Sequence, residues 1–436
     1  MYTNYTSHLY RYNGVFGRIN YNWKDQFLLN LTGRRDGSTR FGPRHQMANF
    51  YAIGGGWIFT EKPFVQKHLS FLSYGKLRGS YGLTGNDQIG NYQYLDTWSP
   101  TYFTYQGQPA LRPTRLTNPD YSWELNKKLD LGLELGLFKQ RVFITADWYR
   151  DRSDNQIIYY RVPAQTGFTV LLMNFPAVVQ NSGWELELRG TAIQSSSFGW
   201  TVTGNLTIPK NLLKQFPGLE QSSYANSYVI GQPLDLYRGY QYTGIDPAGG
   251  IYQFNDLNKD GIINSMDYVT IGSTSPRLYG GLDNSFRYKG LEVNILFQFI
   301  KQKGKQAIWS LPNTPGMELV NFPDAVLNRW TSPGHSGTYQ LFSQSPVSAA
   351  TAASQLMYNS SAILTDASFV RLKTLSLSYA LPQRWMKRTH LETGKLFLQA
   401  QNLWTLTSYQ GADPESQNPT ALPPLKMISL GIQIIL

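Results

Sequence analysis

The sequence predicts an all-β protein, a transmembrane antiparallel β-barrel or part of one, with about thirteen strands. Three observations support this prediction: the composition, the alternation of apolar and polar residues, and the lengths of the connections. The 436 residues include only 15% charged residues but 14% aromatic ones, and 39 are glycine. This composition is typical of an aromatic-rich β protein and not of a disordered or helical one.

Apolar and polar residues alternate with period two in about thirteen segments, as they do in strands with one polar face. In the clearest, Leu129 to Leu137, leucine occupies every second position; Leu291 to Phe299 and Ile428 to Leu436 have the same pattern. The predicted strands are approximately 12–22, 26–36, 49–59, 75–83, 129–137, 141–150, 183–190, 199–206, 278–288, 291–299, 368–380, 394–403 and 428–436.

The connections between these segments alternate in length, most strictly in the second half of the chain. Residues 139–140, 191–198 and 289–290 are short turns, and much longer stretches lie between them. Short periplasmic turns and long extracellular loops are typical of outer-membrane barrels. A large soluble β-sandwich or jelly roll is the alternative that periodicity alone leaves open.

Charge and residue usage exclude several classes of function. The formal net charge is +11, but the basic residues are scattered, so no nucleic-acid partner is expected. There is no cysteine, which excludes thiol catalysis, disulfides and cysteine-ligated zinc. No apolar run reaches the ~18 residues of a membrane helix, so any membrane crossing must use strands. The five histidines are far apart in sequence and no hydrolase or phosphate-binding motif occurs, so an enzyme is not expected.

Several blocks of sequence resemble one known family. They include GRINYNWKDQFLLNLTGRRDGSTRFGP (Gly17 to Pro43), TNPDYSWELNKKLDLGLELGLFKQRVFITADWYRDRSDN (Thr117 to Asn155) and DASFVRLKTLSLSYALP (Asp366 to Pro382). These blocks resemble the barrel of the SusC/RagA family of TonB-dependent outer-membrane transporters of Bacteroidetes. The resemblance implies a barrel of about twenty-two strands, an N-terminal plug domain, a TonB box and a cap formed by a SusD-like surface lipoprotein.

Residues 1–436 are therefore expected to be the C-terminal portion of such a barrel, because the plug domain, the TonB box and a signal peptide have no matching segment. The function implied by the resemblance is import of a large nutrient ligand, an oligosaccharide or a peptide, across the cell outer membrane. The expected neighbours are the SusD-like lipoprotein, TonB acting through a plug outside this chain, and outer-membrane lipid and lipopolysaccharide. The alternative is a calcium-stabilised surface glycan-binding or adhesion module without transport.

One segment has the spacing of a calcium-binding loop. Oxygen-bearing side chains occupy positions 1, 3, 5, 9 and 12, and Gly261 at position 6 permits the sharp turn that such loops need. The alternative is a turn rich in Asx residues that satisfies its own hydrogen bonds without a metal. The predicted ligands are Asp256, Asn258, Asp260, the backbone carbonyl of Ile262, Asn264 and Asp267.

The predicted loops also contain aromatic side chains that suit contact with a ligand. Exposed rings can stack on sugar faces, but they serve equally well to anchor a partner protein or to pack a loop. The predicted ligand-binding residues are Trp98, Tyr102, Tyr105, Tyr159 and Tyr160.

Overall fold

The computed structural model of the protein describes residues 7–101, 104, 106–310, 315–317, 321–335, 337–389 and 391–435. Most of these residues lie in strands or in the loops that join them. The strands are β1 (Tyr12–Trp23), β2 (Phe27–Ser38), β3 (Met47–Ile58), β4 (Leu72–Asn86), β5 (Thr97–Pro100), β6 (Leu111–Arg115), β7 (Glu124–Leu137), β8 (Val142–Asp154), β9 (Gln156–Arg161), β10 (Val170–Phe175), β11 (Val178–Gln194), β12 (Phe198–Gln215), β13 (Leu236–Gly239), β14 (Tyr242–Ile245), β15 (Tyr252–Phe254), β16 (Val269–Ser273), β17 (Leu278–Tyr288), β18 (Leu291–Lys301), β19 (Lys303–Lys305), β20 (Leu364–Asp366), β21 (Phe369–Ala380), β22 (Thr393–Thr407) and β23 (Met427–Ile435).

Thirteen of these strands form one antiparallel sheet, in the order β1-β2-β3-β4-β7-β8-β11-β12-β17-β18-β21-β22-β23. The predicted all-β class and the predicted strands are thus confirmed. The other ten strands form five two-stranded sheets within the long loops. The described part of the chain also contains three short α-helices: α1 (Pro63–His68), α2 (Ala349–Met357) and α3 (Gln383–Thr389). Among the described residues, no helix has the length and apolar character needed to cross a membrane.

Several strands are longer than predicted. β7 begins at Glu124, five residues before the predicted start at Leu129, and β12 continues to Gln215. The added residues of β7 include an asparagine and two lysines, so they lack the apolar alternation on which the prediction was based. The pairing of the backbones extends beyond the part of the strand that carries the apolar pattern.

The chain divides into two compact units, and the first contains residues 7–186 and 210–232 of the described chain. Its sheet has two chemically different faces. On one face Ile19 pairs with Leu31, which pairs with Ile53, and Ile19 and Ile53 are 63% and 49% exposed. On the opposite face Asn20 pairs with Asn30. The apolar face of this unit is therefore open to its surroundings.

The second unit contains residues 187–209 and 233–435 and has the same two-faced pattern. Leu377 pairs with Leu398, which pairs with Leu430, and Leu430 is 80% exposed. Their neighbours Ser376 and Gln399 pair on the polar face. A sandwich would cover this apolar face with a second layer, whereas the exposed apolar face suits contact with lipid.

The buried clusters of the described residues gather side chains of the long loops together with a few from the ends of the sheet strands. In the second unit, Tyr252, Trp309 and Met357 belong to one buried cluster that packs the loops around α2. In the first unit, one cluster includes Phe175 and Phe216 and a second is built from aromatic side chains around Tyr121. The long loops are therefore folded bodies with their own cores.

Candidate functional site

The polar face of the sheet in the first unit carries a cluster of charged side chains. Arg78 on β4 contacts Asp130 at 2.6 Å, Asp147 at 2.5 Å and Glu134 at 3.2 Å, and Lys76 lies 3.4 Å from the same Glu134. The period of two brings these residues onto one face of three neighbouring strands, β4, β7 and β8. One guanidinium thus holds three carboxylates together on the polar face.

The second unit contains a more deeply buried ion cluster. Arg371 on β21 donates to Asp413 and to Glu415, the latter at 2.6 Å, and its Nε donates to Thr405 at 3.0 Å. The side chains of Arg371 and Asp413 are each only 3% exposed. Gln302 adds a hydrogen bond from its Nε2 to the carbonyl oxygen of Pro414. The loop that follows β22 is thereby fixed to the polar face of the sheet.

The electrostatics of Asp413 follow from these contacts. Burial by itself would raise the pKa of Asp413, but hydrogen bonds from Ser416 and the guanidinium of Arg371 outweigh it, so the pKa lies below its ordinary value. Asp413 is therefore ionised at neutral pH, and the cluster is a true ion pair.

The predicted calcium-binding loop lies between β15 and β16 and is closed by its own hydrogen bonds. Asp256 accepts from the backbone N–H of Lys259 through Oδ1 and from that of Gly261 through Oδ2, at 2.7 and 2.8 Å. Gly261 has φ +80°, the left-handed conformation that glycine adopts readily. The turn at position 6 of the predicted loop is thus present.

Asp267 closes the other end of this loop. It is fully buried, and it accepts from the backbone N–H groups of Leu257 at 2.8 Å and of Asn264 at 3.0 Å. The hydrogen bond from Asn264 is the main reason that the pKa of Asp267 lies below its ordinary value, and burial opposes it. Within the described part of the chain, no three His, Asp or Glu side chains gather closely enough to hold a metal ion. In the structure the carboxylates of Asp256 and Asp267 accept hydrogen bonds from backbone amides.

The predicted aromatic residues have different environments. Trp98, on β5, is 55% exposed and donates from Nε1 to Asp96 at 2.8 Å. Tyr159 is 66% exposed, whereas its neighbour Tyr160 stacks on Phe175 with centroids 5.1 Å apart. Trp98 and Tyr159 are thus available for contact and Tyr160 supports a loop core. The other two predicted residues, Tyr102 and Tyr105, lie outside the described residues.

Sequence reasoning missed the residues that shape the loops of the second unit. Gln340 is 2% exposed and donates from Nε2 to Ser354 at 2.7 Å, and its Oε1 accepts from the backbone N–H of Tyr252 at 2.9 Å. These residues are far apart in sequence and follow no period, so a sequence pattern could not find them. The buried ion pair of Arg371 was missed for the same reason.

The chain matches the family model described as TonB dependent receptor-like, beta-barrel, over residues 2–403. It is 29% identical over 432 residues to TonB-dependent receptor P3 of Formosa agariphila, covering 92% of this chain and 42% of that receptor. It is 24% identical to TonB-dependent receptor SusC of Bacteroides thetaiotaomicron, covering 92% of this chain and 41% of that receptor. The chain thus spans less than half the length of these relatives.

A solved structure of the RagAB peptide transporter is similar over 98% of this chain and 48% of that one, with a TM-score of 0.83 and 26% sequence identity. A structure of the RagAB peptide importer in the open-open state gives a TM-score of 0.84. Members of this family are transporters and receptors and not enzymes, and their barrels are proteins of the outer membrane. The match over most of its length shows that this chain belongs to the TonB-dependent receptor β-barrel family and is an outer-membrane protein related to SusC and RagA.

Proposed function

We propose that this chain forms part of the wall and the outer mouth of an importer that takes up a large nutrient ligand, an oligosaccharide or a peptide. The observation that carries the proposal is the similarity to the RagAB peptide transporter over 98% of the chain. The two-faced sheet adds support, since an apolar face toward lipid and a polar face toward a passage are what a pore wall requires. The folded loops after β12 and β18 provide a surface on which a ligand can be received.

Import also needs partners. We propose a SusD-like surface lipoprotein that covers the loops, and TonB, which would act through a plug domain not found among the residues described here. Lipid and lipopolysaccharide would contact the apolar face. Trp98 and Tyr159, both largely exposed, are the ring side chains that we propose for contact with the lipoprotein or the ligand.

Deletion of the gene in its host tests the import function. We expect uptake of fluorescent oligosaccharides or oligopeptides to fall on deletion, to return on complementation, and to stop when a protonophore removes the energy that TonB uses. Ligand that stays at the cell surface and is unaffected by the protonophore would instead indicate the adhesion module. The parent strain with an empty vector is the control.

A calcium-stabilised loop is the second proposal. The support is the pattern of oxygen donors and the contact from Asp256 to the N–H of Gly261, positions 1 and 6 of the predicted loop. Each carboxylate oxygen that accepts one backbone N–H retains a second lone pair for a cation. Binding would draw together the carboxylates of Asp256, Asp260 and Asp267 and would stiffen the loop between β15 and β16.

A further inference from the structure

A cavity of about 210 Å³ lies among the loops of the second unit. Its walls come from five separated parts of the sequence. Residues 306–308 follow β19, Thr365 lies in β20, and Ser408 and Gln410 follow β22. Pro323, Ala325 and the aromatic side chain of Tyr339 complete the lining. No motif in the sequence brings these residues together.

The walls of this cavity are held by the surrounding fold. Ile308 and Tyr339 are only 7% and 9% exposed and belong to the buried cluster around α2. The backbone N–H of Gln306 donates to the carbonyl of Ile363 at 2.8 Å. Between Ser408 and Gln410, the buried Tyr409 donates its hydroxyl to the carbonyl of Lys305 at 2.9 Å. The cavity is therefore largely preformed, which lowers the entropic cost of binding a ligand.

The same loop is fixed a second time, a few residues further along the chain. Arg371 binds Asp413 and Glu415, and Gln302 donates to the carbonyl of Pro414. Ser408 and Gln410 thus belong to a loop that is held by β19 at Tyr409 and by Arg371 and Gln302 at residues 413–415. A cavity wall formed by a loop would otherwise be mobile.

The lining of the cavity carries no formal charge. Its polar groups are the carboxamides of Gln306 and Gln410, the hydroxyls of Thr365 and Ser408, and the phenol of Tyr339. Burial raises the pKa of Tyr339 above its ordinary value, so the phenol stays neutral. The side chains of Thr365, Ser408 and Gln410 have no hydrogen-bond partner among the described residues. Their donors and acceptors are free to meet a ligand.

We propose that this cavity binds one neutral sugar unit of the nutrient ligand, with the hydroxyls of Thr365 and Ser408 and the carboxamide of Gln410 as the recognition groups. Carboxamides and hydroxyls both donate and accept, which matches the hydroxyl groups around a sugar ring. A charged ligand would find no counter-charge in the lining to offset the hydration that it gives up there. An apolar ligand would leave the polar lining unpaired.

A peptide fits the cavity less well. Extended peptides are bound through main-chain hydrogen bonds along an exposed strand edge, or through charges at their termini. The cavity offers side chains and no ionic group, and its volume is below the ~300 Å³ at which pockets for drug-sized ligands begin. It has room for a ring and not for a length of chain.

This inference rests on the proposed import function only in taking the bound sugar to be part of the imported ligand. Binding is measured on the purified chain, without cells, energy or partners. A failure of the binding experiment would leave the uptake experiment standing, and a failure of uptake would leave the binding result unaffected.

Ligand-observed NMR on the refolded chain provides the test. The probes are the methyl glycosides of glucose, galactose and mannose, the matching methyl glucuronide and galacturonide, and N-acetylserine methylamide as a neutral peptide analogue. We expect at least one neutral glycoside to bind, with its uronide at least tenfold weaker. Gln410→Leu and Thr365→Val should each weaken that binding tenfold or more, because each removes hydrogen bonds without removing volume.

Matched substitutions outside the cavity are the controls. Gln253→Leu and Thr270→Val change exposed residues of β15 and β16 and should leave binding unchanged. Circular dichroism and heat-dependent gel mobility would verify that all variants fold. The proposal is overturned if no neutral glycoside binds, if a uronide or the peptide analogue binds as well as the glycosides, or if the two cavity variants bind like the wild type.

Discussion

Arg371 and Asp413 form an ion pair that is almost completely removed from water, with each side chain 3% exposed. The partners are a strand residue and a loop residue, and the same guanidinium also binds Glu415. Two charges taken out of water are costly to separate, because removal of one leaves the other buried without compensation. The pair therefore determines whether the loop after β22 stays on the polar face of the sheet.

Replacement of Arg371 by methionine should destabilise the second unit by about 3–5 kcal/mol, the usual cost of an orphaned buried charge. Urea unfolding in lipid vesicles would measure this loss, and hydrogen exchange should become faster within residues 408–418. Lys127→Met is the control: its contact with Asp154 has the same distance as the Arg371–Glu415 contact, 2.6 Å, but the two side chains are 45% and 23% exposed. That change should cost about 0–1 kcal/mol. Equal effects of the two variants would contradict this account of burial.

Acid should release the loop after β22 from the polar face of the sheet. The pKa of Asp413 is lower in the folded protein than the ordinary value of about 3.9. The pair therefore contributes its full stability above that value and loses it as the pH falls through the lower pKa of the folded state. The protection of amides in residues 408–418 against hydrogen exchange, corrected for the intrinsic pH dependence of the exchange reaction, should be unchanged between neutral pH and about pH 5 and should fall below about pH 4. In Asp413→Asn this loss of protection should be absent, and its persistence there would assign it to another group.

Calcium should bind the loop between β15 and β16 with a dissociation constant of about 10⁻⁴–10⁻³ M, the range of extracellular calcium modules. Calorimetry on the refolded chain would detect the heat of binding. Asp260→Asn should weaken the affinity at least tenfold, because it removes a charged oxygen donor. Asp246→Asn is the matched control, since Asp246 accepts from Gly249 at 2.9 Å in a separate turn of the same unit. The absence of heat at millimolar calcium would refute the site.

The charged cluster around Arg78 predicts that Asp147→Asn changes the free energy of unfolding in opposite directions in the wild type and in the Arg78→Met variant. Asp147→Asn should destabilise the wild type, because it removes the 2.5 Å contact with Arg78. In Arg78→Met the carboxylates of Asp130, Glu134 and Asp147 repel one another, so the same Asp147→Asn change should stabilise. We expect Arg78→Met alone to cost about 1–3 kcal/mol, the range for lost hydrogen bonds to charged groups. Urea unfolding of the four proteins completes the double-mutant cycle, and additive effects would show that the three carboxylates are not coupled through Arg78.

Neighbouring residues on opposite faces of β21 test which face meets lipid. Leu377 is 39% exposed on the apolar face, and Ser376 lies on the polar face. Leu377→Arg should destabilise the protein in vesicles by about 2–4 kcal/mol if it lies near the middle of the bilayer. Ser376→Arg should cost much less, because its charge remains in water. A larger loss of stability from Ser376→Arg than from Leu377→Arg would instead place the lipid against the polar face.

The strands could be predicted because apolar and polar residues alternate along most of each one, which gives the strand two unlike faces. Leu129 to Leu137 alternate so regularly that a sheet with unlike faces is the simplest structure for them. The loops could not be predicted in this way. Tyr252, Gln340 and Trp309 meet in a core whose members are separated by tens of residues, and only the three-dimensional fold brings them together.

The predicted calcium-binding loop shows how far the spacing of a short motif can be interpreted. Its spacing correctly placed a sharp turn at Gly261, since glycine with φ +80° is a local property of the backbone. The spacing could not determine whether the carboxylates point at a cation or at backbone amides, because a cation and an N–H donor can each interact with the same carboxylate oxygens. Similarly, the sequence does not distinguish the adjacent tyrosines 159 and 160. The alternation along β9 exposes Tyr159 and packs the ring of Tyr160 against Phe175.

The charges around Arg78 have a consequence for solutes that move along the polar face. Lys76 and Arg78 supply two positive charges and Asp130, Glu134 and Asp147 supply three negative ones, so this patch has a formal charge of −1. The whole chain, by contrast, has a formal net charge of +11. Ion-exchange behaviour will report the cationic total, while an anionic solute beside this wall meets a repulsive field. Near Arg78 the local charge of the polar face is thus opposite in sign to the net charge of the whole chain.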